Sequence, residues 1–172
     1  MQTASLKVIY NSSMDQKSIE VEIGEILTAR GLTLAAAESC TGGLVSHRIT
    51  NVPGSSVYFV GGVVSYANAV KLALVGVQPQ TLEMHGAVSR ETVIEMARGV
   101  RVALKADIGI AISGIAGPGG GTAEKPVGLT WIGLSAAVGE EARKCIWPGD
   151  RLAVKEQSAQ AALELVLEYL KR

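Results

Sequence analysis

The sequence predicts an α/β domain in which helices cover both faces of a mixed sheet. Three observations carry that prediction. Helical periodicity alternates along the chain with short apolar runs, and no linker interrupts the alternation. The 172 residues are enough for one full core, of which a domain this size buries roughly 70% of its unfolded surface. Apolar residues make up 48% of the chain but aromatics only 4%, a balance of small aliphatics that suits helices lying close on a sheet.

Residues 1–13 have weak periodicity and read as an N-terminal arm or short strand, leaving 14–172 as the domain. From about Gln16 to Arg30, the apolar positions Ile19, Val21, Ile23, Ile26 and Leu27 predict a helix stopped by Gly31. Leu32–Ala37 reads as a buried strand and Leu44–Thr50 as a helix, with Glu38–Gly43 between them. Val57–Tyr66 predicts a strand and Asn68–Leu74 a short helix. Ser89 caps a longer helix reaching about Leu104. Asp107–Ser113 is a continuous apolar strand that ends in a glycine-rich loop, Gly114–Gly121. Val127–Val138 and Glu141–Trp147 predict an antiparallel pair joined at Gly139, and Asp150 opens a C-terminal helix.

Lys plus Arg and Asp plus Glu are equal at 16 each. That balance, with so few aromatics, argues against stable nucleic-acid binding. Cys40 and Cys145 are too few for a disulfide framework, which fits a reducing, cytoplasmic setting. The uncharged stretch Ile49–Val70 contains Pro53, Gly54, Gly61, Gly62 and Asn68, turn chemistry that argues against a membrane span. Met1–Met14 lacks the apolar core of a signal peptide.

Ligands of open α/β sheets sit where strands run into loops at their carboxyl ends, which singles out Glu38–Gly43 and Gly114–Gly121. Around Ser39, Thr41, Gly42 and Gly43, unpaired amides at a helix start favour an oxyanion or a phosphate. Read from periodicity alone, Ser39 or Thr41 is more simply a helix cap, and the second loop matches no nucleotide fingerprint. Lys71 lies in an uncharged neighbourhood. On a solvated face it is an ordinary lysine; in a cleft, desolvation lowers its pKa and fits it to take the Ser39 proton. His47 and His85, the only histidines, read as surface or capping residues and give no metal-ligand spacing. Cys40 reads as packing. Arg151, a cation at the start of a helix, opposes the macrodipole, which suggests recruitment to an anion such as a phosphate; Lys125 is a second candidate cation.

Several stretches, in order, resemble the C-terminal domain family of the competence/damage-inducible protein CinA. They are Ala37–Gly43 (AESCTGG), Tyr66–Lys71 (YANAVK), His85–Ser89 (HGAVS), Ser113–Pro118 (SGIAGP), Glu124–Gly128 (EKPVG) and Gly149–Arg151 (GDR). The resemblance spans about residues 16–170. It implies a three-layer α/β/α sandwich with a mostly parallel, mixed sheet. Stand-alone members of the family are nicotinamide-nucleotide amidohydrolases, so it also implies hydrolysis of the carboxamide of nicotinamide mononucleotide without metal or cofactor. The family's nucleophile falls on Ser39 and its lysine on Lys71. Tyr66 and Asn68 become candidates to orient base or substrate, and Gly114, Ala116 and Gly117 candidates for the wall of a nucleotide pocket. Where the family motif reads YSNEAK, this chain has Ala67 and Val70, removing polar groups at those positions. A pyrophosphatase activity carried by a separate domain of long members is not transferred. Two other readings stay open: a nucleotide-binding regulatory module without catalysis, and a metal-dependent hydrolase using His47 and His85. Exposed apolar helix faces predict a homo-oligomer.

Overall fold

The computed structural model describes residues 17–172. The arm expected at residues 1–13 lies outside the described residues. The elements run α1 (Ile19–Arg30), β1 (Leu34–Glu38), α2 (Leu44–Thr50), β2 (Phe59–Val64), α3 (Asn68–Val75), α4 (Pro79–His85), α5 (Arg90–Ala103), β3 (Ile108–Gly114), β4 (Leu129–Ala136), β5 (Gly139–Ile146) and α6 (Arg151–Leu170). A 3₁₀ turn, Ser55–Val57, precedes β2.

The strands form one sheet in the order β2-β1-β3-β4-β5. β1 pairs in parallel with β2 and with β3, whereas β3–β4 and β4–β5 are antiparallel. The sheet is mixed as expected, though its pairings divide evenly between the two kinds. The Gly139 turn of the sequence reading shifts slightly: Ala136 pairs with Gly139, so Ala137 and Val138 make the turn and Gly139 opens β5. α4 has no counterpart in the predicted elements. It begins with Pro79, which presets the first helical φ, but it buries no residue and so carries no apolar stripe to read.

The two faces of the sheet are built differently. Toward α1, α2 and α6 point Leu34, Ile108, Ile110, Ile112, Ile132 and Leu134, all buried. Toward α3 and α5 the sheet presents Ala35, Ala37 and Ala111. Gly133 lies directly beneath α5, where an added Cβ would stand 2.5 Å from the Val93 carbonyl oxygen. Small residues bring α5 down onto three strands at once, and the layers are complete on both sides. Among the described residues no helix is long and apolar enough to cross a membrane.

β1, β2 and β3 run in the same direction, so their carboxyl ends open together on one end of the sheet. The turn after β1, the segment between β2 and α3, and the loop after β3 therefore converge there.

Candidate active site

The turn after β1 is organised by Glu38, whose carboxylate is 1% exposed. One oxygen accepts from Thr41 Oγ1 at 2.7 Å and from the Gly43 and Val45 amides at 3.0 Å each. The other accepts from the Ser46 amide at 2.8 Å and Ser46 Oγ at 2.7 Å. Five donors surround one acceptor-only group, so its buried charge is fully hydrogen-bonded. Glu38 thereby does the capping that was expected of Ser39 or Thr41: the N-cap position of α2 is Gly43, at φ 98°, and no hydroxyl caps it. The sequence reading placed Glu38 in the turn without a role. A carboxylate buried at the end of an all-buried strand and followed by Thr-Gly-Gly was the available signal.

Freed from capping, Ser39 is held from behind, its amide donating to the Ile112 carbonyl at 2.9 Å. Its Oγ lies 3.1 Å from Lys71 Nζ. Lys71 sits on the first turn and a half of α3 and is itself 1% exposed. Its Nζ also reaches the Ser65 carbonyl at 2.7 Å and the Tyr66 carbonyl at 3.2 Å. Burial holds the Lys71 pKa below the ordinary lysine value, because taking the ammonium out of water penalises the charged form. Counting protons gives the same preference a geometric meaning. A neutral amine has two N–H groups, which the two carbonyls accept, and one lone pair, which then faces the Ser39 hydroxyl. An ammonium satisfies the same three partners as a triple donor. A proton can cross from Ser39 to Lys71 without either side chain moving.

The pair opens into a cavity of about 290 Å³, whose walls include Cys40, Tyr66, Asn68, Ser113, Gly114, Ala116, Gly117 and Arg151. Ser113 is buried and donates to the Ala87 carbonyl at 2.7 Å, joining the β3 end to the segment before α5. An added Cβ at Gly114 would stand 3.1 Å from Cys40 Sγ and 2.7 Å from Thr130 Oγ1, so only glycine lets the two loops meet. The Cys40 thiol is pushed up to about 12 by burial and stays protonated, in keeping with packing. A larger groove of about 640 Å³ lies elsewhere, between α2 and α6, and contains neither Ser39 nor Lys71.

Of the predicted site residues, Ser39, Lys71, Tyr66, Asn68, Gly114, Ala116, Gly117 and Arg151 are brought to one cavity. Thr41, Gly42 and Gly43 are not. Of the amides expected to hold an oxyanion, Gly43 donates to Glu38 and Gly42 to the Ser39 carbonyl at 3.1 Å, while the Thr41 amide has no partner among the described residues. On the opposite wall the amides of Ala116 and Gly117 have no partner among the described residues. Arg151 follows the N-cap Asp150, which accepts from the Ala153 amide at 2.9 Å. Its guanidinium ties the Gly117 carbonyl at 2.8 Å to the Tyr66 hydroxyl at 2.9 Å, leaving further N–H groups at the cavity rim. Lys125, the other candidate for a phosphate, is not among the residues lining the cavity and donates to the His85 carbonyl at 2.6 Å. His47 borders the larger groove and His85 ends α4; among the described residues no three His, Cys, Asp or Glu side chains gather as a metal site.

Known proteins match this arrangement over most of its length. The CinA-like protein of Chloroherpeton thalassium is 52% identical over 156 residues, covering 88% of this chain and 37% of that protein. The CinA-like protein of Salinibacter ruber is 48% identical over 147 residues, covering 86% and 36%. The chain thus spans well under half the length of these curated relatives. Among solved structures, the competence damage-inducible protein A of Klebsiella pneumoniae superposes with a TM-score of 0.86 at 33% identity, covering 90% of this chain and 96% of that one. The competence/damage inducible protein CihA of Agrobacterium tumefaciens gives 0.84 at 38%, covering 93% and 99%. Residues 16–170 match the sequence pattern of the CinA C-terminal domain, and the chain belongs to that family.

Proposed function

We propose that the protein hydrolyses the carboxamide of nicotinamide mononucleotide to the nicotinate nucleotide and ammonia, through an ester on Ser39. The observation that carries the reading is the buried Lys71 amine, 3.1 Å from Ser39 Oγ with both its N–H groups already accepted by carbonyls. The family resemblance supplies the substrate class.

The steps follow from those contacts. Neutral Lys71 takes the Ser39 proton as Oγ attacks the carboxamide carbon, a proton transfer whose catalytic worth is about 10²–10⁴-fold. The carbonyl oxygen becomes an oxyanion and needs donors. With Gly42 and Gly43 committed elsewhere, the Ala116 and Gly117 amides are the better candidates. The Lys71 ammonium returns its proton to nitrogen, the C–N bond breaks and ammonia leaves. Water, deprotonated by Lys71, then attacks the ester; the acid forms and Ser39 regains its proton. No metal or cofactor enters any step. Arg151, with N–H groups left over at the rim, is suited to the substrate's phosphate.

The test is ammonia release from nicotinamide mononucleotide, nicotinamide riboside and nicotinamide by the purified protein. Turnover of the mononucleotide is expected, with Ser39→Ala inactive. Full ammonia release by that variant would overturn the scheme. Activity should rise with pH through the lowered Lys71 pKa, since only the uncharged amine is a base; a profile that does not rise anywhere below the ordinary lysine pKa would count against Lys71. Tight nucleotide binding with no turnover would favour the regulatory reading instead.

A further inference from the structure

Two stretches stand apart from the reacting pair and meet each other: His85–Ser89 (HGAVS) and Glu124–Gly128 (EKPVG). Ala87 and Val88 of the first line the cavity, and no residue of the second does. Three consecutive carbonyls of the first stretch each accept from a different part of the fold. The Lys125 ammonium donates to His85 at 2.6 Å. Ser89 and Thr92, at the start of α5, donate to Gly86 at 3.1 and 2.7 Å. Ser113, at the end of β3, donates to Ala87 at 2.7 Å. The last two ties fix this wall to α5 and the sheet. The first joins it to the loop that follows β3.

Both ends of that first tie are built for it. The Lys125 amide donates to Thr122 Oγ1 at 3.0 Å, and its carbonyl accepts from the Thr122 amide at 2.8 Å. This closed turn aims the side chain. At the receiving end Gly86 has φ 74°, and a Cβ added there would stand 3.2 Å from Lys125 Nζ. α4 ends at His85, so the ammonium also meets the negative end of a helix. The β3–β4 ladder closes where the Gly128 amide donates to the Ile115 carbonyl at 2.8 Å. Beyond it, among the described residues, the loop has two hydrogen bonds to other elements. Arg151 takes the Gly117 carbonyl, and Lys125 takes His85. Between these grips residues 118–124 are exposed, and Gly119 and Gly120 line the cavity.

We propose that Lys125 is a positioning residue whose clasp on His85 holds the glycine loop across the cavity and sets how firmly the nucleotide is retained. It acts on binding because it touches neither Ser39 nor Lys71 and reaches the cavity only through the loop. Without it the loop keeps one grip, at Gly117, with the freely turning Gly119 and Gly120 beside it. Retention of the nucleotide rests on the amidohydrolase reading; the clasp itself does not.

Hydrogen exchange and steady-state kinetics on the wild type, Lys125→Met and Lys125→Arg test this. In Lys125→Met the Thr122 and Lys125-position amides should exchange about 3–10-fold faster, the change that one net hydrogen bond amounts to. The Gly43 and Val45 amides, held by Glu38, should exchange as before. KM for nicotinamide mononucleotide should rise by the same factor with kcat nearly unchanged, and Lys125→Arg, which keeps the donor, should recover most of it. Unchanged exchange at positions 122 and 125 overturns the clasp. Faster exchange with an unchanged KM, or a loss confined to kcat, overturns its part in retention. If the wild type does not turn the mononucleotide over, the amidohydrolase reading has failed, and exchange alone decides the clasp.

Discussion

The turn after β1 and the loop after β3 flank the same cavity from adjacent parallel strands, yet they are held in opposite styles. Cys40 and Thr41 are buried, and five hydrogen bonds on Glu38 fix the path of the chain through the turn. The second loop is buried only as far as Gly117. Residues 118–124 are exposed, and at the cavity its one side-chain tie is Arg151 on the Gly117 carbonyl. The difference teaches where rigidity is needed. A nucleophile and its base must keep a proton-transfer distance through every step, whereas a wall that meets different substrate and product atoms gains from being held at its ends.

The largest effect should come from the rigid side. Lys71→Met is expected to lower kcat for ammonia release by about 10²–10⁴-fold, since Ser39 loses its base. The same variant isolates a stability signature. Because burial lowers the Lys71 pKa, the unfolded chain binds that proton more readily at pH values between the folded pKa and the ordinary lysine value. Stability contributed by the wild-type lysine is therefore lowest at low pH and rises as pH climbs through that window. The difference in unfolding free energy between wild type and Lys71→Met should move toward the wild type by up to about 1.4 kcal/mol per pH unit there. Urea titrations at a series of pH values measure it; a difference independent of pH would mean that Lys71 is not held neutral.

Glu38→Gln sharpens the comparison one step further from the chemistry. The amide replaces an acceptor with a donor that faces N–H and O–H groups, so at least one buried donor loses its partner. A loss of about 2–4 kcal/mol follows, or roughly 5–15 °C in Tm. Activity should fall with it, because Ser39 is the next residue. As a positioning residue, Glu38 should affect kcat with little change in the pH at which activity appears. A shifted pH profile would instead give it a direct part in proton transfer.

Much of this arrangement was legible in the sequence, and the rest was hidden for definite reasons. Periodicity located α1, α2, α5 and α6, and continuous apolar runs located the central strands, which are buried on both faces. α4 buries nothing and left no pattern. The Ser39–Lys71 pair was suggested by an uncharged neighbourhood and assigned by family resemblance; its distance follows from β1 and β2 being adjacent and parallel, which no local pattern states. Glu38 was overlooked for a different reason: three of its five donors are backbone amides, which every sequence possesses, and only the hydroxyls of Thr41 and Ser46 are side chains. Arg151 was noticed because it breaks the helix-dipole rule, but its bond to Tyr66 joins residues 85 apart in the chain and could not be read locally.

That bond yields the smallest predicted effect and the clearest test of the loosely held wall. Among the described residues Arg151 alone bridges the Gly117 carbonyl and the Tyr66 hydroxyl, using two N–H groups fixed in one plane. Lysine retains the charge but offers a single point of attachment, so it can hold one partner or an incoming anion, not all of them at once. Arg151→Lys should therefore raise KM by about 5–10-fold, on the order of 1 kcal/mol, while kcat falls less, because Arg151 touches neither Ser39 nor Lys71 and reaches their surroundings only through Tyr66 and Gly117. Nicotinamide riboside, which lacks the phosphate, should feel the substitution less than the mononucleotide does. An equal loss with both substrates would assign Arg151 to holding Gly117 and Tyr66 in place, and the wall would then be as much a part of the rigid machinery as the turn it faces.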